Sequence, residues 1–105
     1  MKVRVKENSW VAKLAAAKMK ADKLAIVFGN TIHLYNTSRS EFLSDTDWVC
    51  HELKHVEQYQ QNGVMGFLIK YLFDWIKNGY YNNKFEVEAR ENEKDISLVK
   101  KMEII

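Results

Sequence analysis

The sequence predicts an α+β domain: a small antiparallel or mixed sheet from the N-terminal third, packed on three C-terminal helices that carry a metal site. Short apolar runs with strand-like alternation occur only before Asn36. Beyond Ser44 the apolar residues recur at helical spacing, interrupted at Asn62-Gly63 and Asn78-Gly79. The chain has 105 residues, 47% of them hydrophobic and 29% charged, with no proline, which is the composition of one folded domain over residues 1–105. There is no repeat, low-complexity tract or linker.

Lys2 to Lys6 alternates as a strand does. Asn8 or Ser9 can cap a helix running to about Ala21, which Ala15, Ala16 and Ala17 favour. Leu24 to Phe28 and Thr31 to Tyr35 read as two strands around a Gly29-Asn30 hairpin turn. Asn36 to Ser40 reads as a polar loop. Ser44 with Asp47 three residues on is a capping signal for the next helix, which Asn62-Gly63 closes. Val49, Leu53 and Val56 form its core face, while His51, His55 and Tyr59 lie on another. The helix from Val64 to Lys77 is apolar nearly all round, the pattern of a central packing helix, with a protein contact through Val64 to Ile76 as the alternative. Asn83 caps a third helix beginning Lys84-Phe85-Glu86, and Ile96, Val99 and Met102 continue an apolar stripe.

The net charge of +2 is too small to argue for nucleic acid, although the first two dozen residues are strongly basic. One cysteine excludes an internal disulfide, and Cys50 reads as a small buried hydrophobe. The Val64 to Ile76 stretch is too short, and too charged at Lys70 and Asp74, to span a membrane. With no apolar signal core at the start, a cytoplasmic location is the expectation.

His51-Glu52-Leu53-Lys54-His55 reads HExxH within the second helix. Imidazoles four residues apart share a helix face and can reach one Zn²⁺ at about 2.0–2.1 Å each. Glu52 lies about 100° round the helix, too far to bind the metal but close enough to act as a base on water beside it. Three candidates for a third ligand stay open: Glu86, Glu88 and His33. Glu86 is favoured because its helix can lie against the metal helix, with Ala89 permitting close approach; a capping box at Asn83 competes for the same oxygens.

HELKHVEQ followed by FEVEAR, with Glu86 31 residues after His55, resembles the gluzincin zinc metallopeptidases in their minimal single-domain form. The resemblance covers about Leu24 to Asn92. It implies a peptidase acting on peptide or unfolded protein, with His51, His55 and Glu86 on zinc and Glu52 as general base. It also implies that the strand from Thr31 to Tyr35 rims the cleft. The position of Arg90 is often an aspartate in that clan, and arginine cannot accept a hydrogen bond from an imidazole, so another group must hold the ring. Tyr59, Tyr80, Tyr81, His33 and Arg90 are open candidates for a donor to the developing oxyanion. Two other outcomes are a zinc-stabilised, non-catalytic module that binds peptide or protein, and a latent form in which the Ser97 to Ile105 tail places Glu103 in the cleft.

Overall fold

A computed structural model describes residues 2–105. Strand β1 (Lys2–Lys6) buries Val3 completely. Strands β2 (Leu24–Phe28) and β3 (Thr31–Tyr35) pair antiparallel with Phe28 opposite Thr31, so Gly29-Asn30 is a two-residue hairpin loop. Gly29 has φ +64° and Asn30 does not share the positive sign, the pattern of a type II′ turn that glycine alone enters without strain.

Among the described residues six helices accompany the strands. Helix α1 (Trp10–Met19) stops where Lys20 turns left-handed. Ser9 stands at its N-cap, but the hydroxyl hydrogen-bonds His33 Nδ1 at 2.8 Å instead of capping. Helix α2 (Arg39–Ser44) occupies part of the expected loop: Ser38 Oγ accepts from the Glu41 N–H at 3.0 Å, so Ser38-Arg39-Ser40-Glu41 is a capping signal in its own right. Because α2 uses Ser44, whose hydroxyl donates to Glu41 O, the cap of α3 (Thr46–Asn62) moves on to Asp45, which accepts from Trp48 N at 3.1 Å. Gly63, at φ +74°, joins α3 directly to α4 (Val64–Asn78). Helices α5 (Lys84–Glu91) and α6 (Ser97–Lys101) follow.

The last strand, β4 (Glu103–Ile104), pairs parallel with β1, and β1 in turn pairs parallel with β3. The sheet is mixed, in the order β2-β3-β1-β4, and one of its strands comes from the C-terminus rather than the N-terminal third. Ile105 N donates to Val3 O at 2.9 Å and its carbonyl accepts from Arg39 Nη1 at 2.7 Å. The tail is thereby held at the sheet edge opposite β2. It does not lie in the cleft, and Glu103 is no ligand.

Ile32 and Leu34 of β3 meet Phe42, Leu53, Val56 and Leu98 in one core. The central helix is α3, packed against β2, α2, α4, α5 and α6. Helix α4 is not the packing helix its composition suggested. It buries Phe67 alone, while Met65, Phe73 and Ile76 are 68, 70 and 74% exposed. Among the described residues no helix is long and apolar enough to cross a membrane.

Candidate metal centre

Helix α3 presents His51 and His55 one turn apart, with ring centroids 5.1 Å from each other. Helix α5 is aimed at them by three polar contacts. Asn83 Oδ1 accepts from Phe85 N at 2.9 Å, Asp74 Oδ2 accepts from Lys84 N at 2.6 Å, and Asn83 Nδ2 donates to Tyr71 O at 3.0 Å. Ala89 is fully buried, so α5 can approach α3 closely. Glu86 Oε1 then lies 3.1 Å from His51 Nε2 and 3.2 Å from His55 Nε2. One ligand atom from each of these three residues lies within 4.8 Å of the other two, close enough to hold a metal ion. Glu86 does not complete a capping box: its second oxygen accepts from Tyr71 OH at 2.6 Å.

The far nitrogen of each imidazole is also held. Gln58 Oε1 is 2.8 Å from His55 Nδ1, and Glu93 Oε2 is 2.8 Å from His51 Nδ1. The Gln58 amide is oriented by donating to Phe85 O at 3.1 Å and Glu88 Oε1 at 2.8 Å. Facing oxygen acceptors, both Nδ1 atoms carry hydrogen, which leaves both Nε2 atoms to a metal in the neutral rings. Glu93 is thus the group that stands in for the aspartate expected at Arg90. It lies one turn further along, on the turn after α5, where no motif spacing singles it out. Arg90 itself donates to Tyr81 O and stacks its guanidinium on the Tyr81 ring, 4.0 Å from the centroid. Of the other ligand candidates, Glu88 serves Gln58, and His33 faces Ser9 on β3. Cys50 is fully buried, donating weakly to Asp95 O.

Charge is shared tightly within the cluster. Burial works to lower the His51 pKa, but its hydrogen bond to Glu86, the Glu52 charge and Glu93 overcome this and push it up to about 9. His55 rises by the same balance. Burial works to raise the Glu86 carboxyl, yet both histidines and Tyr71 hold it well below the usual carboxylate range. Glu52 is only 4% exposed, and burial lifts it to about 7 against the pull of His55 and His51.

A cleft opens over Glu52 between α3 and the start of β2. Its rim is β2, the edge strand, and not the interior strand β3 from Thr31 to Tyr35. Among the candidate donors, Tyr59 OH is engaged by Val27 O at 3.1 Å, Tyr81 lies under Arg90, and His33 is on β3. Tyr80 lines the cleft on both sides of Glu52.

Fold and site together define a small α+β domain in which His51 and His55 of the central helix α3 and Glu86 of α5 form a cluster that could hold a metal ion. The chain belongs to the eCIS core domain family, whose model matches residues 1–63. That match includes His51, Glu52 and His55 and ends at the α3–α4 junction, before Glu86. No curated protein and no solved structure matches the chain.

Proposed function

We propose that this domain is a zinc-dependent peptidase of gluzincin type. The observation that carries the reading is Glu52: a buried carboxyl raised to about 7 that lines the cleft beside the cluster without belonging to it. A metal held purely for structure has no use for such a group, whereas a general base works best with a pKa near the operating pH.

Two imidazoles and a carboxylate form a borderline donor set that suits Zn²⁺, and His51 Nε2, His55 Nε2 and Glu86 would hold it. Zinc there would supply Lewis acidity to a carbonyl and ease the ionisation of water. Glu52 takes the proton of the attacking water on its carboxylate and passes it to the departing amine nitrogen. Tyr80, which lines the cleft beside Glu52, supplies the hydroxyl that donates to the charge developing on the carbonyl oxygen. Glu93 and Gln58 keep the two imidazoles from rotating as the site fills. The outer edge of β2 can pair with an extended peptide through backbone hydrogen bonds.

The apolar face of α4 favours a second reading, a metal-stabilised module that binds another protein without turnover. Cleavage mapping separates the two. The zinc-loaded chain, incubated with an unfolded protein mixture, should generate new termini by mass spectrometry that vanish for Glu52→Gln. Stoichiometric zinc with no new termini would sink the peptidase and leave the module.

A further inference from the structure

The cleft has two unlike halves that meet at Glu52. One, of about 290 Å³, is walled by Met19 of α1, Val27 of β2, and Phe67, Leu68, Tyr71 and Trp75 of α4. Apart from Lys18 and the floor groups Glu52 and His55, its lining is aliphatic or aromatic. The other, of about 480 Å³, is bounded by Asp45, Asp47 and Glu93 with His51 and Glu52, and by Lys23. The two share Leu24, Ala25, Glu52 and Tyr80. A chain laid along the free edge of β2 therefore crosses from an apolar chamber to an acidic one just where Glu52 sits.

The acidic half already shows what it attracts. Lys94 pairs with Asp47 at 2.5 Å although it is 85% exposed, and Lys23 holds its ammonium 5.7 Å from the Trp48 ring centroid. Both are exposed cations that an incoming basic side chain can displace. An acidic side chain would meet three carboxylates and would have to draw Lys23 from Trp48 or Lys94 from Asp47.

We propose that the cleft selects a peptide with a large apolar side chain on one side of the bond over Glu52 and a basic side chain on the other. That this bond is cut rests on the peptidase reading. The selection rests only on the two chambers, and it would hold in a protein that binds without cutting.

The test titrates labelled peptides into zinc-loaded Glu52→Gln protein by fluorescence anisotropy. The peptides differ only in two adjacent central residues, Phe-Lys, Phe-Glu, Ser-Lys and Ser-Glu, each in both orders. One order of the Phe-Lys pair should bind at least about tenfold more tightly than the Ser or Glu peptides. Trp75→Ala should erase the preference for Phe and keep that for Lys. Asp47→Lys should do the reverse. Met19→Glu, at a position 41% exposed, repeats the first arm without removing an aromatic contact. Equal affinity for all eight peptides, or preferences that survive Trp75→Ala, Met19→Glu and Asp47→Lys alike, would overturn the proposal. Wild-type protein that leaves the best-bound peptide uncut would refute the peptidase reading while the selection stood. Cleavage without preference would do the opposite.

Discussion

Helices α3 and α4 meet at Gly63 and are of similar length, 17 and 15 residues, yet they occupy the molecule in opposite ways. Helix α3 carries Asp47, His51, Glu52, Lys54, His55 and Glu57, and buries eight of its residues, among them Glu52, His55 and Gln58. Helix α4 is far more apolar and buries one. Burial here follows the availability of partners rather than hydropathy. The buried polar groups of α3 have answering groups: Glu86 for both histidines, Phe85 O and Glu88 for Gln58, and the charges of His55 and His51 beside Glu52. With those groups satisfied, desolvation costs little, and Val49, Leu53 and Val56 can take the centre of the core. Helix α4 walls the cleft with Phe67, Tyr71 and Trp75 and turns Met65, Ile69, Phe73 and Ile76 outward.

The contrast can be broken most sharply at Leu53, which is fully buried. Leu53→Ala should cost about 2–5 kcal/mol in urea unfolding, the range for a core leucine whose cavity does not collapse. A loss below about 1 kcal/mol would mean that α3 is not the centre. The polar half of the comparison is next. Glu93→Ala and Gln58→Ala each free one imidazole, and each should weaken zinc binding by about 10- to 100-fold in competition with a chelator. Unchanged affinity for both would show that the rings are held by packing alone.

The third prediction concerns pH in chelator-treated protein. His51 has a folded pKa of about 9, above its ordinary 6.5, so its contribution is complete below about 6.5 and is lost as pH rises through 9. Glu52, raised to about 7, acts in the same direction: its ionisation opposes folding from about 4.5 upward, until it is complete above 7. Unfolding free energy should therefore fall by about 2 kcal/mol between pH 6.5 and 9, and zinc, which needs unprotonated imidazole, should restore most of it. Metal-free protein that grows more stable over that window would contradict the charge balance described for the cluster. The smallest effect belongs to α4. Phe73→Ser and Ile76→Lys should change stability by no more than about 0.5 kcal/mol, because both side chains already face solvent. A cost approaching that of Leu53→Ala would abolish the distinction between the helices.

Local signals in the sequence were the ones that could be read. The His51/His55 spacing, the Asn83 cap and the Gly29-Asn30 turn each depend on residues within one turn of helix or one hairpin, and each appears where expected. Glu86 was legible because Ala89 follows it at the spacing that allows two helices to touch. Ser38 with Glu41 carried a readable cap that the polar run around it disguised. What escaped depends on distant pairing. Two residues of β4 have no periodicity, and strand order, which makes β2 rather than β3 the rim, leaves no trace in alternation. Glu93 acts across 42 residues on His51. The exposure of α4 was hidden for a different reason: its polar stripe of Lys70, Asp74 and Lys77 is narrow, and the apolar residues that fill the rest of its circumference are more than its neighbours cover.

The first and last strands lie side by side, Lys2 opposite Glu103 and Val3 opposite Ile104, and they run in the same direction. A pull on the two ends of the domain therefore loads this pair lengthwise, so that its hydrogen bonds must yield together instead of peeling one after another. The pair is only two residues long, so it acts as a short mechanical fuse set ahead of the metal centre. In a force-extension experiment β4 and α6 should release first, at a force indifferent to zinc, and only the next event should move when zinc is removed.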